Sequence, residues 1–99
     1  MPNNVIYVDV DDTLVRTAGT KRIPMPDTIA RIRALHDRGA LLYLWSAGGA
    51  EYARKTAAEL RLTECFTGFL PKPTVIIDDQ HFSEWRDLCH FFPTDEIPL

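Results

Sequence analysis

Three carboxylates, Asp9, Asp11 and Asp12, occupy four consecutive positions directly after the apolar run VIYV at 5–8. Like charges this close repel one another, most severely beside a low-dielectric interior, and they stay ionised together only if positive charge sits among them. A second acidic pair, Asp78 and Asp79, follows the apolar run TVII at 74–77, and Ser46 follows a third such run, LLYLW at 41–45. Carboxylates gathered at one point would suit a hard divalent cation such as magnesium, which takes oxygen donors and keeps several waters. A carboxylate on the cation stays ionised and can act as a nucleophile, whereas a neighbour held off it can keep a proton for general acid work.

Such groups act together only if the chain delivers them to one edge, and the sequence between them predicts the elements that would do so. VIYV, β-branched and aromatic, reads as a short buried strand. TAGTKRIPMP at 17–26, with its glycine and two prolines, reads as an irregular excursion or small hairpin. From Asp27, the spacing of Ile29, Ile32 and Leu35 predicts a helix that stops at Gly39. LLYLW, apolar at every position, predicts a parallel strand covered on both faces.

SAGG then leads into AEYARKTAAEL, a second helix running to about Leu62, with Glu51 and Lys55 at a favourable four-residue spacing. After CFTGFLPKP, broken by glycine and proline, TVII predicts a last buried strand. The tail predicts a short helix over Phe82, Trp85 and Leu88 and an edge strand around 89–92.

Strands alternating with helices imply right-handed crossovers and a parallel α/β sheet, whose ligands bind outside the carboxyl ends of the strands. The expected site therefore collects Asp9 and Asp11 from the first strand, Ser46 from the second, and Asp78 and Asp79 from the last. Strand alternation turns Asp9 and Asp11 one way and Val10 into the packing.

This constellation resembles the haloacid dehalogenase (HAD) superfamily of phosphohydrolases over roughly residues 5–79. Its first motif, a strand followed by DxDx(T/V), is matched by DVDDT at 9–13; its second, a strand ending in Ser or Thr, by LLYLWS; and its acidic pair after a strand by VIIDD. Its lysine motif has Lys72 in FLPKP as the candidate. The resemblance implies a single domain over 1–99, a HAD-like Rossmannoid three-layer sandwich with a small parallel sheet, no cap domain, and a flap of about residues 14–26. It also implies a magnesium-dependent phosphatase that forms an aspartyl-phosphate on a phosphomonoester.

Carried over residue by residue, the resemblance makes Asp9 the nucleophile and Asp11 the acid that protonates the leaving group and then activates water. Ser46 and Lys72 would hold the phosphoryl group, with Asp12, Thr13 and the backbone at Ala47 and Gly48 completing its cradle. Asp9, the main-chain carbonyl of Asp11, and Asp79 would bind magnesium, with Asp78 ligating directly or through water.

The lysine departs from the family's pattern. If TVII runs parallel to the first strand, the seven residues to Asp79 span about 23 Å and leave Lys72 at the opposite end. Either the 63–74 segment folds back, or Arg16, Lys21, Arg22 or a partner subunit supplies the positive charge. Without a cap the site is open, which favours a bulky or macromolecular phosphoester unless a homodimer covers it. Two other readings stand beside the hydrolase: a catalytically weak protein that binds a phosphorylated ligand or protein partner, and a phospho-accepting receiver domain. In a receiver the acid pair precedes the accepting aspartate by a whole strand, the reverse of the order here.

Composition narrows the classes further. At 99 residues, 45% hydrophobic and 25% charged, one core is expected. A net charge of −3 argues against a general nucleic-acid surface. Cys65 and Cys89 have no CxxC spacing and, with His36, His81 and His90, no zinc spacing. No apolar run approaches the roughly 18 residues of a membrane span, and no secretory signal is evident, so a cytoplasmic location is expected. Tyr43 and Trp45 are assigned to the core, and Arg31, Arg33 and Arg38 to a solvated helix face.

Overall fold

The computed structural model describes residues 4–98; residues 1–3 and 99 of the expected single domain lie outside them. VIYVD forms strand β1 (Val5–Asp9), and the excursion folds into an antiparallel hairpin of β2 (Val15–Ala18) and β3 (Lys21–Pro24). Helix α1 (Pro26–Asp37) starts with proline in its first turn, where the missing N–H costs nothing, and ends before Gly39, whose φ of 88° suits glycine. Strand β4 (Leu41–Ser46), helix α2 (Ala50–Glu59) and strand β5 (Gly68–Pro71) complete the α/β unit.

Three parallel strands lie in the order β1-β4-β5, with Asp9 paired to Trp45 and Ser46 paired to Pro71. All three carboxyl ends therefore finish at one edge. Val10, Leu14, Ile32, Leu35, Leu42, Leu44, Ala53, Ala57 and Leu62 form one buried cluster joining both helices to the sheet. Among the described residues no helix is long and apolar enough to cross a membrane.

Several expectations need correction. LLYLW is not covered equally on both faces. Leu42 and Leu44 are fully buried, whereas Tyr43 and Trp45 on the opposite face are only partly covered and pack with Tyr7, itself 47% exposed. Both helices share the core on one face, so the described residues make two layers rather than a three-layer sandwich. Uniform apolarity hid the alternation, because an aromatic ring tolerates half-exposure where leucine is better buried.

TVII is not a strand. Val75, Ile76 and Ile77 are 74%, 55% and 97% exposed, and the strand beside β4 is GFLP, despite the glycine and proline that break its sequence pattern. GFLP arrives directly from α2 through the turn Thr63–Cys65, and Phe69 packs against the core, so tertiary contact outweighs the glycine and proline at its ends. The tail contributes only a 3-10 turn, Phe82–Glu84, with no strand around 89–92, and Phe82, Leu88 and Phe92 are exposed.

Candidate active site

Asp9 closes β1 with its side chain about one-third exposed, and its two oxygens have different partners. Lys72 Nζ lies 3.0 Å from Oδ1, and Thr13 Oγ1 donates to Oδ2 at 3.2 Å. Lys72 gets there because β5 ends at Pro71, level with Ser46, and its own N–H donates to the Ser46 carbonyl at 2.9 Å. The far-end placement of Lys72 is conditional on TVII being the strand and falls with it; of the alternatives, the 63–74 segment folding back is the one the structure shows.

The loop after β1 turns tightly over Val10, which is fully buried while its carbonyl accepts from Thr13, Leu14 and Val15. Asp12 has a φ of 63°, a left-handed conformation that aspartate tolerates better than most residues, and its N–H donates to the Val15 carbonyl. This bend brings Thr13 back to Asp9, while the Asp12 side chain is exposed. Asp11 Oδ1 accepts a 2.7 Å bond from the Tyr52 hydroxyl.

Ser46 is buried, and its Oγ accepts from the Gly48 N–H at 3.0 Å, which fixes the turn into α2. Ala47 and Gly48 are exposed at the same edge, and Gly49, with a φ of 105°, begins α2 without a side-chain cap. A Cβ on Gly48 would sit 3.0 Å from the Tyr52 ring, so glycine lets that ring lie against the turn.

Tyr52 and Arg22 are the residues that sequence reasoning missed as a connected pair. Arg22, on β3, donates to the Tyr52 hydroxyl at 3.2 Å, Thr56 Oγ1 at 2.8 Å and Glu59 at 2.8 Å, clamping the hairpin onto α2. The hydrogen bond to Asp11, followed by burial, pushes the Tyr52 hydroxyl above its ordinary value of 10.0. The signal was present in the sequence: a helix that leaves the carboxyl edge presents its first turn to the site, and Tyr52 stands in that turn.

Asp78 and Asp79 are not brought to this group. Asp78 accepts from the Gln80 N–H in a local turn at 2.9 Å, and both acids line exposed hollows along residues 73–88. Among the described residues, no three His, Cys, Asp or Glu side chains come together at one point. Asp9 and Asp11 remain as two carboxylates whose oxygens already hold Lys72, Thr13 and Tyr52. The carboxylates of the magnesium set that the resemblance implies, Asp9 with Asp78 and Asp79, are therefore not gathered as a threesome among the described residues, and Lys72 supplies positive charge beside Asp9.

An α/β fold with an acid, a lysine and a serine turn gathered at the carboxyl ends of a parallel sheet defines the class of this protein as far as its architecture goes. The chain belongs to the family described as Protein of unknown function (DUF705), which matches residues 1–81. No curated protein and no solved structure matches it. The family match takes in every element that builds the edge and leaves most of the exposed tail outside.

Proposed function

We propose that this chain is a capless phosphohydrolase of the HAD type, cleaving a phosphomonoester through a phosphoryl group carried on Asp9. The observation that carries the reading is the 3.0 Å pair between Lys72 and Asp9, beside the Ser46 turn, at the end of three parallel strands. An ammonium at that distance from the carboxylate can also donate a hydrogen bond to an incoming phosphoryl oxygen.

In the first step an Asp9 oxygen attacks phosphorus, the bond to the leaving oxygen breaks, and Asp11 gives that oxygen its proton. In the second, Asp11 takes a proton from water as the water oxygen attacks phosphorus, which releases inorganic phosphate and restores the Asp9 carboxylate. Tyr52 fixes one Asp11 oxygen and leaves the other for the proton. Lys72, with the Gly48 and Ala50 region of the turn, meets the charge that spreads over the phosphoryl oxygens. A capless site is open, so a bulky phosphoester suits it better than a small one needing enclosure.

A generic aryl phosphate, assayed with and without magnesium, tests this reading, and Asp9→Asn should abolish turnover while leaving the fold intact. A second reading, phosphoryl binding without turnover, is favoured by the acids at 78 and 79 standing apart from Asp9. Calorimetric binding of inorganic phosphate in a protein that hydrolyses nothing would select it.

A further inference from the structure

The described residues contain two unsatisfied halves of a sheet. In the order β1-β4-β5, the outer edge of β1 has no strand beside it, and Val5 and Tyr7 on that strand are 61% and 47% exposed. The segment TVIID at 74–78 has the length and β-branched character of VIYVD, with Val75, Ile76 and Ile77 all exposed. An open strand edge and an unpaired strand-forming segment are both liabilities in water, and each is what the other lacks.

They cannot meet within one copy. Lys72 is held at the carboxyl edge by its bonds to Ser46 and Asp9, and only Pro73 precedes Thr74. A parallel strand with Thr74 level with Val5 would have to start about 20 Å down the sheet and about 14 Å across it from Lys72. Two residues of extended chain reach about 7 Å. An antiparallel course still needs about 15 Å, mostly the crossing of β4 and β1, and it would carry Asp78 and Asp79 to the wrong end.

We infer that the occupant of the β1 edge is the 74–79 segment of a second copy, donated reciprocally in a two-fold dimer. A two-fold interface needs each patch to find its complement on the other chain, and the edge and the segment supply that pair. The polypeptide beyond the segment carries further uncovered apolar groups, Phe82, Trp85 and Leu88, and the sheet face next to the β1 edge carries the half-open Tyr7, Tyr43 and Trp45 rings. Resting on the proposed phosphohydrolase reading, the donated strand runs parallel to β1. TVIID beside VIYVD then sets the partner's Asp78 level with Asp9 and the partner's Asp79 one residue beyond, so the acidic group left incomplete in one chain is completed by two.

Sedimentation equilibrium of the full chain tests the exchange without reference to activity. The expected mass is twice 11.3 kDa, and Ile76→Pro, at an exposed site where only strand pairing needs the lost N–H, should return it to a single chain. A wild-type monomer, or a dimer indifferent to Ile76→Pro, overturns the inference. Co-expressing Asp9→Asn with Asp79→Asn chains tests the donation. Random pairing leaves one intact site in half of the dimers, so turnover of an aryl phosphate should recover to about a quarter of wild type. No recovery from two inactive variants of an active wild type overturns donation in trans. A dimer broken by Ile76→Pro whose wild type hydrolyses nothing upholds the exchange and removes the phosphohydrolase reading alone.

Discussion

Lys72 Nζ stands 3.0 Å from Asp9 Oδ1, joining the residue that follows the last strand of the sheet to the residue that ends the first. The two side chains are 39% and 31% exposed, so the pair is wet and contributes little to stability by itself. Its placement matters more than its energy, since it puts an ammonium on the carboxylate proposed to carry the phosphoryl group.

Lys72→Ala should therefore leave the unfolding free energy within about 1 kcal/mol of wild type, because it removes a surface pair. Turnover of an aryl phosphate should fall about 100-fold or more, the usual cost of losing a donor to a developing oxyanion. Lys72→Arg should recover only part of this, since a planar fork cannot replace a point charge in the same space. Paired chemical denaturation and steady-state kinetics would separate the two effects.

The Tyr52 hydroxyl links the site to pH. Its folded value is raised because it donates to Asp11, so the stabilisation from that bond is complete below 10.0 and is lost as pH climbs through the higher folded value. Wild-type stability should thus decline above pH 10 relative to Tyr52→Phe, which lacks the titrating group. Subtracting the phenolate absorbance titration of Tyr52→Phe from that of wild type should show one tyrosine ionising late. At neutral pH, Tyr52→Phe should lower kcat more than it alters KM, since Asp11 loses its fixed orientation.

Gly48→Ala probes the serine turn. The new methyl meets the Tyr52 ring at 3.0 Å, and Gly48 φ is not in the left-handed region, so the strain falls on the ring rather than on the backbone. The ring must give way, which disturbs the bond from its hydroxyl to Asp11. The kinetic defect of Tyr52→Phe should therefore be reproduced in part, and the double variant should cost less than the sum of the two singles.

Leu44→Ala tests the one-sided core. Leu44 is fully buried between the sheet and both helices, and truncation should cost about 2–5 kcal/mol in urea unfolding. Truncating Trp45, its neighbour on the open face, should cost distinctly less in an isolated chain. Were the Trp45 change the larger, the face it lies on would be covered.

Much of this architecture was legible in the residues. VIYVD, LLYLWS and the two helices follow from β-branched runs, helical spacing and the glycines that end or begin them, and the grouping of Asp9 with Ser46 follows from strand ends sharing an edge. What misled was the rule that the strongest apolar run makes the strand. TVII outranks GFLP on propensity, but the position beside β4 goes to the segment that α2 delivers, and the length of chain left after Lys72 forbids a return. The doubt over Lys72 rested on TVII being the strand, and the lysine reaches Asp9 once the strand is reassigned. Tyr52 and Arg22 escaped notice because hydrogen bonds between a hairpin and a helix leave no periodic trace in the sequence.

The central claim is that Asp9 carries the phosphoryl group. Mixing the protein with an aryl phosphate, quenching in acid within the first turnover and mapping peptides by mass spectrometry addresses it directly. The account predicts one added phosphoryl group on the peptide containing Asp9, sensitive to hydroxylamine as an acyl phosphate must be and missing from Asp9→Asn. Turnover that proceeds with Asp9 unmodified, or that survives Asp9→Asn at the wild-type rate, would contradict it.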